Sequence, residues 1–139
     1  MARPILVLLT VLYLGLVALA TLGPQSLAIS VFNRVYFFSS AYVPSLSVSD
    51  LEFGANVAMF VPLGFLFVLL LGRRYWGWAI VVAVLLTCAI EFTQTMLPMR
   101  VTDTRDLVAN SGGALIGTFF GWLALVSSGS VGTSRYRAG

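Results

Sequence analysis

Glu91 and Gln94 stand three residues apart in one apolar run, and Asp106 and Asn110 stand four apart at the start of the next. Each pair shares a face if its run is helical. Asn56 sits near the start of an earlier apolar run, and Arg100, Asp103 and Arg105 fall between the runs that carry Glu91 and Asp106. Such groups suit the binding of a polar molecule, with carboxylates and amides accepting hydrogen bonds and the arginines meeting anionic oxygens. Two other chemistries use the same residues. Glu91 could transfer a proton, and Asp103, Asp106 and Asn110, with Glu91, offer oxygen ligands to a divalent cation.

Each of these residues also has a plainer use. Amides inside lipid tie helices together at roughly 0.6 kcal/mol per bond, and Asp103 and Asp106 can cap a helix start and favour its dipole. Glu91 resists that reading, because a carboxylate within a membrane span costs on the order of a few kcal/mol unless it is protonated, paired or hydrated. Arg100 is its natural neutralising partner.

The 139 residues include no histidine and one cysteine, Cys88. Ser-His-Asp triads, histidine metal sites, an intramolecular disulfide and cysteine clusters are therefore excluded. The eight basic residues are all arginine and lie at the edges of apolar runs, without the dense basic face that nucleic acid requires. With 59% hydrophobic and 9% charged residues and a mean hydropathy of +0.97, the chain has the composition of a protein whose solvent is lipid. No cofactor is expected.

Four runs are long enough to cross a bilayer at about 20 residues each. The first, Ile5 to Leu22, follows Arg3 and ends at Gly23-Pro24; its length marks it as a retained helix and not a signal peptide. The second opens at Ser49-Asp50-Leu51-Glu52, a capping-box pattern that predicts a helix from about residue 50. It carries Pro62 and stops at Gly72-Arg73-Arg74. The third starts at the headgroup-level aromatics Tyr75-Trp76-Gly77-Trp78 and reaches Leu97, before Pro98, and the fourth runs from Leu107 to Val126. Between the first two, Pro24 to Val48 is too interrupted to cross and predicts an interfacial or re-entrant segment.

The fold class is thus all-α and polytopic, with one four-helix membrane domain over 1–126 and a polar, flexible tail over 127–139. Gly113, Gly117 and Gly121 form a small-residue ridge for close packing of the fourth helix. Counting rise per residue from the opposite helix ends places Asn56, Gln94 and Asn110 about 24, 25 and 24 Å up, with Glu91 about 21 Å up. This predicts one shared polar pocket near the end that carries Arg100, Asp103, Arg105 and Asp106.

The string Asn56-x5-Pro62-Leu63-Gly64-Phe65, Glu91-Phe92-Thr93-Gln94, Arg100, Asp103 and Asp106-x3-Asn110-x2-Gly113-x3-Gly117 resembles the VanZ-like family. That family is named for a teicoplanin-resistance accessory protein of glycopeptide-resistant bacteria. The likeness extends from Asp50 to Trp122, and Thr21-Leu22-Gly23-Pro24 is similar to the end of the opening helix in its members. It implies a small bacterial inner-membrane protein. Teicoplanin bears a lipid and acts at the outer membrane face, but the family name establishes no reaction, and antibiotic resistance is not carried over to this chain.

The expected function is binding of a lipid head group, a lipid-linked envelope precursor or a lipoglycopeptide in an outer-leaflet pocket formed by Asn56, Glu91, Gln94, Arg100, Asp103, Arg105, Asp106 and Asn110. Two alternatives stay open: an accessory subunit of a larger membrane complex, and a carboxylate- or metal-dependent enzyme acting on a lipid. The enzyme is disfavoured by the missing nucleophile motif. Expected partners are membrane lipids or a lipid-linked precursor and a membrane protein, with no nucleic acid. Five arginines (Arg3, Arg73, Arg74, Arg135 and Arg137) fall on one side, which predicts cytoplasmic termini in a bacterial plasma membrane.

Overall fold

The structure, a computed structural model, describes residues 3–97 and 103–130. It consists of α1 (Arg3–Leu22), α2 (Gln25–Tyr42), α3 (Val48–Leu71), α4 (Trp76–Thr95) and α5 (Thr104–Ser130), with a single 3-10 turn at Arg73–Tyr75 before α4. Among the described residues there is no strand. Four helices are long and apolar enough to cross a membrane: Arg3–Leu22, Val48–Leu71, Arg73–Thr95 and Thr104–Ser128. Their outer faces present Leu8, Leu12, Leu16, Leu85, Phe92 and Phe119 to the surroundings. Such faces are stable in hydrocarbon and costly in water.

The most extensive packing is between α3 and α5. Its cause is the glycine ridge. A Cβ on Gly113 would meet the carbonyl of Val57 and lie 3.1 Å from Phe60 Cβ; on Gly117 it would lie 2.7 Å from the carbonyl carbon of Val61 and 2.9 Å from the nitrogen of Phe65. From the other side, a Cβ on Gly64 would be 2.9 Å from Ala114 Cα. The two backbones therefore touch along three turns, which small residues permit in lipid, where dispersion and close approach replace the hydrophobic effect. The contacts advance in the same direction on both helices, so α3 and α5 run parallel. The remaining spans, α1 and α4, run the other way, and Phe60, Leu63, Val68, Ala79, Ala83 and Ala114 fill the space between the four.

Helix ends follow local chemistry. The α1 helix closes with the Gly23 N–H on the carbonyl of Leu19 at 3.0 Å, at the predicted Gly-Pro stop. Gly72 ends α3 with φ of 87° and donates to Val68 O, a left-handed conformation that glycine adopts without strain. The α3 start differs from the expectation: Ser47, and not Ser49, is its cap. Ser47 Oγ accepts from the Asp50 N–H at 3.1 Å and donates to Asp50 Oδ2 at 2.6 Å. Starting two residues earlier adds the Leu51 N–H to Ser47 O bond and frees the Ser49 hydroxyl to accept from Arg105.

Two further expectations are refined. Residues 25–42 form one unbroken helix with no reversal in it, and α2 makes little contact with the bundle. Its exposed Ile29, Val31, Phe37, Phe38 and Tyr42, beside Asn33 and Arg34, suit an interfacial helix. At its far end α5 continues beyond Val126 to Ser130, because Ser127 and Ser128 turn their hydroxyls back onto Leu123 O and Ala124 O at 2.9 and 2.8 Å. That bonding satisfies serine within a helix. Residues 131–139 of the expected tail lie outside the described residues.

Candidate functional site

The polar residues gather at the end of the bundle where α3 and α5 begin and α4 finishes. Glu91, on α4, and Asp106, on α5, are both partly buried and lie within electrostatic range of one another and of Asp103. The Glu91 carboxylate approaches the backbone N–H of Asp103 closely enough to accept from it. From α3, the Asn56 amide reaches the Asp106 carboxylate. Three helices thus contribute to one polar cluster: Asn56, Glu91, Asp103 and Asp106.

The capping role foreseen for the aspartates is also present. Asp103 Oδ1 accepts the Arg105 N–H at 2.8 Å, and its carbonyl accepts the Asp106 N–H at 2.9 Å, which starts α5 at Thr104, three residues before the expected Leu107. Asp103 therefore fixes the direction in which α5 leaves the site, while Asp106 faces inward.

Arg105 is directed outward. Its guanidinium donates to the Ser49 hydroxyl, lies 5.9 Å from the centroid of the Phe53 ring and shares the neighbourhood of Asp50. That contact clamps the start of α5 to the start of α3. Arg100, and with it the expected Arg100–Glu91 pair, lies outside the described residues.

Asn110 and Gln94 do not meet in the common enclosure that their estimated depths suggested. Asn110, 2% exposed, donates through Nδ2 to Thr87 Oγ1 at 2.7 Å. Gln94, also buried, donates through Nε2 to the backbone carbonyl of Thr21 at 3.0 Å, tying the end of α4 to the end of α1. Gln94 is seven residues beyond Thr87, about 10 Å farther along α4. The equal counts failed because α5 extends to Ser130 and is docked by its glycines onto α3, so distance from the helix end does not measure height in the bundle.

Thr87 and Tyr13 escaped the sequence reading. Thr87 is wholly buried and stands four residues before Glu91 and seven before Gln94, a polar stripe down one face of α4 that the spacing 87, 91, 94 displays. Tyr13 is the only tyrosine of α1, and its hydroxyl donates to Met59 O at 2.8 Å. This bond falls one residue after the Ala58 carbonyl, which Pro62 cannot serve because it has no N–H.

The carboxylate cluster has a polar floor. Asn110 lies one turn below Asp106 on the same face of α5, and its Oδ1 is buried without a hydrogen-bond partner among the described residues. Acceptors still outnumber donors here: three carboxylates and a free amide oxygen stand against the Asn56 amide and the backbone N–H groups of Asp103 and Arg105, with the Arg105 guanidinium within electrostatic range of Asp106. Among the described residues no group of three or more acidic or cysteine side chains is arranged to hold a metal ion.

The fold and this cluster define a class: a multi-pass, all-α membrane protein with a cluster of carboxylates and amides at one end of its bundle. The family described as VanZ/LLP1 matches residues 6–125, which take in the second and third spans whole, most of the first and fourth, and every residue of the cluster. The chain belongs to that family. No curated protein and no solved structure matches it.

Proposed function

We propose that this protein binds the polar head of a membrane lipid, a lipid-linked envelope precursor or a lipoglycopeptide where α3, α4 and α5 converge. The observation that carries the reading is that Glu91 and Asp106, from different helices and both partly buried, lie within electrostatic range of one another, with Asp103 and Asn56 nearby. Acidic groups within spans mark ligand or ion pathways because their desolvation otherwise goes uncompensated. The excess of acceptors favours a head rich in donors, such as hydroxyl or amine groups. Arg100 and Arg105, close to Asp103 and Asp106 in sequence, suit a phosphate carried on the same head.

The arginine distribution supports a bacterial plasma membrane with the termini cytoplasmic and the cluster in the outer leaflet. All five carboxylates of the chain then lie toward the outside. Native mass spectrometry of the detergent-extracted protein tests the reading. A specific lipid should remain with the wild type and be lost from Glu91→Gln, and identical lipid profiles for two folded proteins would count against it.

The exposed apolar face of α2 favours one second reading, an accessory subunit that docks a partner there. Phe37 is 81% exposed and Phe38 66%. Stoichiometric co-purification of another membrane protein, lost when Phe37 and Phe38 become Ser, would support it.

A further inference from the structure

Toward the opposite end of the bundle, the start of α4 and the middle of α5 border an open surface groove of about 800 Å³ lined by Trp76, Ile80, Leu115, Phe119, Phe120 and Trp122. This volume falls within the usual range of small-molecule sites. The 3-10 turn that carries Arg73 and Arg74 packs against α5 and leads directly into Trp76, which puts the two arginines three and two residues before a residue of the groove lining. Both arginines are exposed. The acidic side chains, Asp50, Glu52, Glu91, Asp103 and Asp106, all lie toward the other end of the spans, so among the described residues no acidic side chain sits at this end.

We propose that this groove is a binding site for an anionic phospholipid, with its phosphate held by Arg73 and Arg74 and one acyl chain laid along Trp76, Ile80, Phe119 and Trp122. The apolar lining accepts the chain, and the tryptophans mark the level at which chain gives way to head group. A zwitterionic lipid would bring an ammonium group to a place with two cations and, among the described residues, no acidic side chain. An anionic lipid neutralises the pair instead. The site is separate from the acidic cluster and does not depend on the function proposed for it.

Trp76 and Trp122 report on their own groove. In a Trp78→Phe background, quenching of their fluorescence by brominated phosphatidylglycerol and by brominated phosphatidylcholine gives the relative affinity of the site in reconstituted bilayers. Phosphatidylglycerol should be preferred on the order of tenfold. That preference should fall to near parity in Arg73→Gln/Arg74→Gln. Should that variant fail to fold, the unaltered arginine pair still decides the matter, because 1 M salt must shrink the preference. Equal quenching by both lipids, a preference that survives the double substitution, or absence of quenching because a second protein covers the groove would each overturn the proposal.

Discussion

Replacing Gly117 with Ala adds one methyl group where α5 touches α3. That methyl would lie 2.7 Å from the carbonyl carbon of Val61 and 2.9 Å from the nitrogen of Phe65, and nearer still to Val61 O. All three are backbone atoms, so no rotamer change can relieve the contact and the helices must separate. Overpacking of this kind costs about 1–3 kcal/mol, and a rigid neighbour places it toward the upper figure. Alanine returns about 1 kcal/mol of helix propensity, which leaves a net loss of about 2 kcal/mol. Gly112→Ala is the internal control, since a Cβ there meets nothing within 4 Å and only the propensity gain remains. Reversible unfolding by sodium dodecyl sulfate in mixed micelles, followed by circular dichroism, measures both. Equal effects of the two substitutions would refute the claim that the ridge sets the distance between α3 and α5.

Five other substitutions probe the polar ties. In a double-mutant cycle with Asn110→Leu and Thr87→Val, the Asn110–Thr87 bond should give a coupling of about 0.6 kcal/mol, and at most about 1.7 kcal/mol, measured by the same unfolding assay; zero coupling would mean that the two do not bond. Gln94→Leu removes the bond to Thr21 O and should speed hydrogen exchange at the end of α1 while leaving the α3–α5 contact protected, a pattern that exchange mass spectrometry resolves. Ser47→Ala should destabilise α3 by about 1 kcal/mol through loss of the cap, whereas Ser49→Ala should leave the start of that helix intact and release Arg105.

Much of this architecture was legible because lipid imposes simple rules. Apolar runs of sufficient length gave the four spans, Gly23-Pro24 and Gly72 marked two of their ends, and Gly113, Gly117 and Gly121 marked the packing face. The cap of α3 was misread because Ser47-x-x-Asp50 and Ser49-x-x-Glu52 overlap, and the choice between them depends on Arg105, which is distant in sequence. Within the site, the convergence of Asn56, Glu91, Asp103 and Asp106 was accessible from helix spacing and topology. The diversion of Asn110 to Thr87, and of Gln94 to a carbonyl of α1, was not, since it depends on how far each helix slides along its neighbours. Backbone carbonyls carry no sequence signature. A glutamine that bonds one cannot be distinguished by type from a glutamine that faces a ligand.

The account's central claim is that the acidic cluster between α3, α4 and α5 receives a polar head group, and an experimental structure in lipid nanodiscs prepared from native membranes tests it most directly. It should show density for a head group bearing hydroxyl or amine functions in contact with Glu91 and Asp106. A fully occupied polar network in which Glu91 and Asp106 are satisfied by protein side chains alone, with no space between the three helices, would contradict it.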